Sequence, residues 1–303
     1  MPRILVSGAS GPIGKALLPA LAAEGHEIVR LVRKPSKNSD EIQWDVSQTL
    51  PPATVSGFHA IIHLAGETIA GRWTNSKKQR ILDTRVQGTR NLAQAAAQAE
   101  IKPKAFISAS AIGYYGNRGD EVLKEDSGSG NGFLAEVCRQ WEGATRAAAD
   151  ADIRTVHPRF GLVLSKQGGA LPKMLLPFRL GLGGRISTGR QWWSWVAIED
   201  LVGAILHALN QDLHGAINVA SPNPVTNAKF TQILSTVLSR PAIFPMPAFA
   251  ARLAFGQMGE ELLLASQRVS PAKLQASNYQ FRFTELKRCL ESLLNKTGKG
   301  GPS

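Results

Sequence analysis

Short, wholly apolar runs along this chain alternate with longer stretches in which apolar residues recur every three or four positions. Ile4-Leu5-Val6 is the first run, with the character of a strand buried on both faces. A glycine-rich turn, Ser7 to Gly14, follows it. Ile13 to Ala23 then sets Leu17, Leu18 and Leu21 at helical spacing before Gly25, which predicts a helix and its stop. Glu27 to Val32 predicts a second strand, Ala60 to Leu64 a third and Ala105 to Ser108 a fourth. Between the last two, Asn75 to Ala99 carries Ile81, Leu82, Val86 and Leu92 on one helical face. A further helix, Gly132 to Asp150, leads into the strand Thr155-Val156-His157.

Short apolar strands separated by helices imply right-handed βαβ units. The fold class expected is α/β: a Rossmann-like doubly wound parallel sheet with a smaller C-terminal α/β lobe. After Phe160 the pattern loosens around Gly168-Gly169, Gly181 to Gly189, Pro222-Asn223-Pro224 and Pro241 to Pro247. This divides the chain into a first domain that carries the sheet, 1–160, and a mixed lobe, 161–303, with segments from about 195–220 returning to the first. The Gly/Lys-rich end, 296–303, reads as a frayed tail.

Composition narrows the function classes. The 303 residues hold 43% hydrophobic and 19% charged residues, so a sizeable core is available. Two cysteines, Cys138 and Cys289, exclude a disulfide scaffold and suit a reducing, cytoplasmic setting. No apolar run has the roughly 18 residues of a membrane span, and no spacing among the six histidines suggests a metal site. The net charge of +12 allows nucleic acid, an acidic surface or an anionic small ligand.

The turn Gly8-Ala9-Ser10-Gly11-Pro12-Ile13-Gly14 places G-x-x-G-x-x-G between the first strand and the first helix. A pyrophosphate must come close to backbone N–H groups there, with no Cβ in the way, and the helix N-terminus favours its charge. NAD-binding versions carry an acid at the end of the second strand, where it holds the ribose 2′-hydroxyl. This chain has Arg33-Lys34 instead. A guanidinium accepts a 2′-phosphate bidentately, enough for an NADP preference of about 10- to 100-fold. Asp45 reads either as an adenine-edge contact or as a turn former.

The glycine turn, His63-Leu64-Ala65-Gly66 after one strand and Ser108-Ala109-Ser110 after the next resemble an extended short-chain dehydrogenase/reductase. Ser110-Ala111-Ile112-Gly113-Tyr114-Tyr115-Gly116, the Leu175 to Gly184 run, Ser194-Trp195-Val196, Glu199-Asp200-Leu201 and Leu262 to Leu274 resemble its atypical, epimerase-like (YfcH-like) subgroup. The resemblance implies that Gly8, Gly11 and Gly14 cradle the pyrophosphate and Leu64, Ala65 and Gly66 line the adenosine side. It sets Ser108 and Ala109 by the nicotinamide ribose, and Pro158 and Arg159 over the nicotinamide. Arg85 lies where the family's long helix faces the cofactor cleft, although a helix-surface arginine reads equally well.

One departure stands out. The family's helix carries Tyr-x-x-x-Lys, where the tyrosine transfers a proton and the lysine lowers its pKa. Here Phe133 and Val137 take that spacing, and no tyrosine or lysine occurs between Glu125 and Asp152. Ser110 fits the serine role as the group that polarises a carbonyl. Tyr115 or Tyr114 then acts from the loop or is a structural anchor, a substrate group or water moves the proton, or the protein binds NADP without turning it over. Arg190 and Trp192 are expected to line the substrate cleft, although the Trp192-Trp193-Ser194-Trp195 run also suits packing between lobes.

The expectation is therefore an NADP(H)-binding, epimerase-like oxidoreductase acting on a small molecule, for which the charge of the chain suits an anion. It has neither a nucleic-acid nor a membrane partner, and its oligomeric state is open. A non-catalytic NADP-dependent regulatory protein is the alternative. The seven basic residues from Arg154 to Arg190, with no acidic one among them, point to a cleft for small anions.

Overall fold

Each apolar run becomes a strand of one parallel sheet. The computed structural model describes residues 1–35 and 38–294; the tail read as frayed, 296–303, lies outside the described residues. Seven strands, β1 (Arg3–Ser7), β2 (Glu27–Val32), β3 (Glu41–Gln43), β4 (Ala60–His63), β5 (Ala105–Ser108), β6 (Arg154–Phe160) and β7 (Gly215–Val219), lie in the order β7-β6-β5-β4-β1-β2-β3. A two-residue strand, Ser110–Ala111, extends the line of β5 and pairs with Arg159–Phe160. The order reverses between β1 and β4, which opens a crevice at their C-terminal ends.

Helices cover both faces, which is why the strands are apolar without alternation. On one side α1 (Pro12–Ala23) and a later helix, Ile198–Asn210, bury Leu17, Leu21, Leu201 and Ile205 against Ile4, Val6, Ile62 and Ile107. On the other, α2 (Asn75–Ala97) packs Leu92 and Ala96 against Leu5, Ile61 and Phe106. The helix predicted through Asp150 ends earlier: α3 spans Phe133–Gly143 and a separate turn spans Arg146–Asp150. The Thr145 hydroxyl donates to the Glu142 carbonyl at 2.8 Å, closing α3 locally.

Three further helices, α4 (Leu171–Arg179), α5 (Ile198–Asn210) and α6 (Asn227–Leu238), precede α7 (Ala248–Phe255) and α8 (Leu286–Leu294). A second core joins Leu171, Leu175, Phe178, Trp193, Trp195, Phe230, Leu234 and Leu290. The C-terminal segment is stitched to the rest through buried polar groups. Asp200, 2% exposed at the start of α5, accepts the backbone N–H groups of Arg282 at 2.6 Å and Phe283 at 3.0 Å. The Tyr279 hydroxyl donates to the Asp200 carbonyl at 2.8 Å.

Asp200→Ala leaves two enclosed donors without an acceptor, so it is expected to lower unfolding free energy by about 1–3 kcal/mol. A urea unfolding curve checks this. An unchanged midpoint would show that the Asp200 latch carries no weight.

Candidate functional site

The turn after β1 is shaped by close backbone approach. Gly8 has φ +72°, and a Cβ on it would fall 2.6 Å from the Leu64 carbonyl carbon. A Cβ on Gly14 would fall 2.5 Å from the Gly8 oxygen, so neither position admits a side chain. Gly11 precedes α1 with no side-chain cap, and Pro12 opens the helix. The first-turn N–H groups are thus free for an anion. One neighbour was not anticipated: a Cβ on Gly168, from the second lobe, would lie 2.6 Å from Pro12 Cγ. The 168–169 backbone therefore lies directly against the phosphate turn.

At the end of β2, Arg33 and Lys34 are exposed, and among the described residues neither side chain has a hydrogen-bond or ion-pair partner. Asp45 spends Oδ1 on Ser47, accepting its N–H at 2.9 Å and its hydroxyl at 2.8 Å. These bonds hold its carboxyl below the usual range. That is the turn-former geometry, and it leaves Oδ2 without a partner.

Across the crevice, Ser7, His63 and Ser108 stand side by side on adjacent strands. The Ser7 hydroxyl accepts from Leu64 N at 3.2 Å and Ala65 N at 3.4 Å, and it lies 2.6 Å from His63 Nδ1. With its lone pairs taken, Ser7 donates to Nδ1, which puts the ring proton on Nε2. His63 Nε2 and Ser108 Oγ are buried and unpartnered. Burial pushes the His63 pKa down to about 4, with the Arg85 charge acting the same way.

Arg85 does turn inward. Its Nη1 donates to the Glu67 carbonyl at 2.9 Å, and its guanidinium lies 5.0 Å from the Trp141 ring. A Cβ on Gly66 would meet it at 3.1 Å. Ala109 is buried beside this group, at the junction between β5 and the short strand Ser110–Ala111.

The residues of α3 that face Ser110 are not those expected. Phe133 packs edge-on against Trp73 at 5.2 Å, and Val137 joins the same cluster with Ile81. The face turned to Ser110 carries Cys138 and Glu142 instead, one residue on from the expected register. Cys138 reaches Ser110 and the Ala111 backbone, and burial pushes its thiol up to about 12. Ser110 Oγ donates to Glu142 Oε1 at 2.6 Å. Arg159 meets both Glu142 oxygens at 2.8 Å through Nε and Nη2. Glu142 raises the Arg159 pKa against the opposing effect of burial.

This geometry changes three expectations. Ser110 has one hydroxyl proton, and Glu142 holds it, so in this arrangement Ser110 accepts rather than donates toward a ligand. The Tyr115 hydroxyl is fully buried, donating among Asn218 Oδ1 at 2.7 Å and the Lys124 carbonyl at 2.9 Å while accepting from Arg159 at 2.9 Å. Burial pushes its pKa up to about 12, so Tyr115 has the environment of a structural anchor rather than of a proton donor. Arg159, expected over the nicotinamide, is 3% exposed and committed to Glu142 and Tyr115, while its guanidinium lies 3.5 Å from the Tyr114 ring. Pro158 is buried within β6, opposite Ile217 of β7.

In the second lobe a cavity of about 330 Å³ is bordered by Asp120, Thr188, Arg190, Arg252, Glu260 and Ser266, among others. Arg190 is exposed on its rim. Trp192 is not among the lining residues: its indole N–H donates to Asp120 at 2.7 Å and Arg268 covers its ring. Trp193 and Trp195 belong to the lobe core.

The sequence also concealed Glu261, which lies far from α3 in the chain. Its carboxylate accepts the N–H groups of Phe133 at 2.9 Å and Leu134 at 2.8 Å, the first two of α3. Gly132, at φ +111°, supplies no cap of its own.

Comparison with known proteins gives the family. The NAD dependent epimerase/dehydratase family matches residues 4–220, and a domain of unknown function matches 246–293. The epimerase family protein ML0860 of Mycobacterium leprae is 40% identical over 290 residues, covering 95% of this chain and 94% of its own. The crystal structure of human epimerase family protein SDR39U1 (isoform 2) with NADPH superposes with a TM-score of 0.88 at 37% identity, covering 96% of this chain and 98% of that one. A nucleoside-diphosphate sugar epimerase from Corynebacterium glutamicum gives 0.81 at 37% identity, covering 97% of this chain and 58% of that longer one.

Two outcomes are expected from this geometry. Glu261→Ala removes a charged cap worth about 1–2 kcal/mol, so in a Cys289→Ala background the buried Cys138 thiol should react with a thiol reagent about tenfold faster. Equal labelling rates would mean that Glu261 does not hold α3 closed. For His63, the unfolded chain titrates near 6.5 and the folded one near 4, so the unfolded state binds the extra proton between those values. Stability is complete above pH 6.5 and falls by about 3 kcal/mol as pH drops through that window. Melting curves of wild type and His63→Asn check this, since the variant should lose that part of the slope.

Proposed function

The chain belongs to the NAD dependent epimerase/dehydratase family, and from that membership we propose that it is an NADP(H)-dependent oxidoreductase of epimerase type acting on a small molecule. The observation that carries the cofactor is the turn at Gly8 and Gly14, where the space a Cβ would fill is closed by backbone at 2.5–2.6 Å. Only a chain bare of side chains there brings N–H groups up to a pyrophosphate. Gly8, Gly11 and Gly14 form the cradle, with Ser10, Pro12 and Ile13 setting the entry into α1. Arg33 and Lys34, with no competing partner among the described residues, take the 2′-phosphate. Leu64, Ala65 and Gly66 line the adenosine side, and Arg85 and Ser108 offer polar groups further along the crevice. The NADPH in the human relative supports the same choice. Two buried free thiols suit a reducing, cytoplasmic setting.

When bound, the nicotinamide supplies a two-electron oxidant or reductant. The chain supplies the control of the proton. With its own hydrogen held by Glu142, Ser110 presents lone pairs and takes a hydrogen bond from a substrate hydroxyl. The Glu142 carboxylate, kept from rotating by Arg159, draws that proton onward. Substrate enters by way of the cavity at Arg190, whose cation suits an anionic group.

A second reading keeps its place because Tyr115 is locked in a buried network and no Tyr-x-x-x-Lys pair exists. In that reading the protein binds NADP and reports its occupancy to a partner without chemistry.

Binding titrations test the cofactor. Wild type should prefer NADPH over NADH by about 10- to 100-fold, and Arg33→Asp should abolish or invert the ratio. No preference in wild type would refute the 2′-phosphate assignment. Absorbance at the nicotinamide band across a panel of alcohols, carbonyls and sugar nucleotides tests turnover. Tight NADPH binding with no change across the panel, in wild type and Ser110→Ala alike, would favour the second reading.

A further inference from the structure

The second lobe exposes an unusual surface. Leu176, Leu180, Leu182, Ile243 and Phe244 are 55–72% exposed, although each is large and apolar. They come from two segments that touch. Phe244 N donates to the Gly183 carbonyl at 3.2 Å, and Met246 N donates to the Arg185 carbonyl at 2.9 Å. On α7, which follows directly, Phe249 and Leu253 stand one turn apart at 71% and 78% exposure.

The two segments are equally one-sided in polar character, the neighbouring hydroxyl and amide groups, Thr231, Gln232 and Ser235, belonging to α6. The segments 176–185 and 240–246 contain no hydroxyl, amide or carboxylate side chain. Apart from apolar residues, proline and glycine, they hold only Arg179, Arg185 and Arg240. None of these three, nor Lys173 on α4, has an ion-pair or side-chain hydrogen-bond partner among the described residues. The wider stretches 154–198 and 213–259 lack Asp and Glu altogether.

We propose that this face, in which exposed leucine, isoleucine and phenylalanine tips stand among unpaired arginines, docks on an anionic membrane surface. Apolar tips enter the headgroup boundary while arginines meet lipid phosphates, and neither contact needs directional hydrogen-bond partners. Phe, Met and Arg also serve protein interfaces, but those are completed by a polar rim, and these two segments supply no hydroxyl, amide or carboxylate group for one. A second copy of the chain would set like charges against each other across an isologous contact. No helix of the described residues is long and apolar enough to cross a membrane, so the contact is peripheral. The expectation of no membrane partner is thereby narrowed to no membrane span.

Co-sedimentation with phosphatidylcholine vesicles, with and without phosphatidylglycerol, tests the proposal. The protein should pellet with the anionic vesicles only, and added salt should release it. Arg179→Gln with Arg185→Gln should weaken partitioning about fivefold per cation lost. Leu180→Ser with Phe244→Ser should reduce it further, with melting curves confirming that both variants stay folded. Failure to pellet with anionic vesicles, or partitioning that neither variant alters, would overturn the proposal. So would retention on a polyglutamate column without vesicle binding, which would assign the face to an acidic protein.

Discussion

Arg159 and Glu142 meet through two bonds of 2.8 Å in a place nearly closed to water, and the surroundings of the crevice are arranged about that pair. A guanidinium in a protein interior must be matched completely, and removing one partner of such a pair costs about 3–5 kcal/mol. The matching reaches outward in both directions. Glu142 takes the Ser110 proton, and Arg159 donates to Tyr115, which donates in turn to Asn218 of β7. One ion pair thus ties together α3, the β5–β6 junction and the sheet edge, and it decides which hydrogen-bonding role Ser110 has left.

The fold was legible where physical demands are local. A strand buried on both faces needs an unbroken apolar run, and Ile4-Leu5-Val6 or Ala60 to His63 satisfies that demand. A backbone held 2.5 Å from where a Cβ would sit needs glycine, and Gly8 and Gly14 answer it. β3, three residues long, left no such trace. The candidate site was less legible because its partners lie far apart in the chain. Nothing near Phe133 announces that Glu261 will cap it. The expected register of α3 failed by one position because the apolar residues Phe133 and Val137 suit either face of a helix wedged between two clusters. The usable signal was Glu142, a carboxylate one turn beyond Cys138 on an otherwise inward face.

The C-terminal segment matched to a domain of unknown function is not an appendage. Its Glu261 sits on α3, its Ser266 hydroxyl donates to the Gly119 carbonyl at 2.6 Å, and its Gln267 side chain donates to the Ile112 carbonyl at 3.1 Å. These contacts reach the loop between Ser110 and Asp120. The lobe therefore shapes the crevice even where it does not line it.

Gly168 has a wider meaning in this light. Its backbone rests on Pro12, the residue that starts the helix behind the phosphate turn. A Cβ at position 168 would have to displace that proline, so the loop entering α4 and the start of α1 hold their positions against each other. A substitution in the second lobe is thereby felt at the phosphate turn of the first, where a glycine meets a proline.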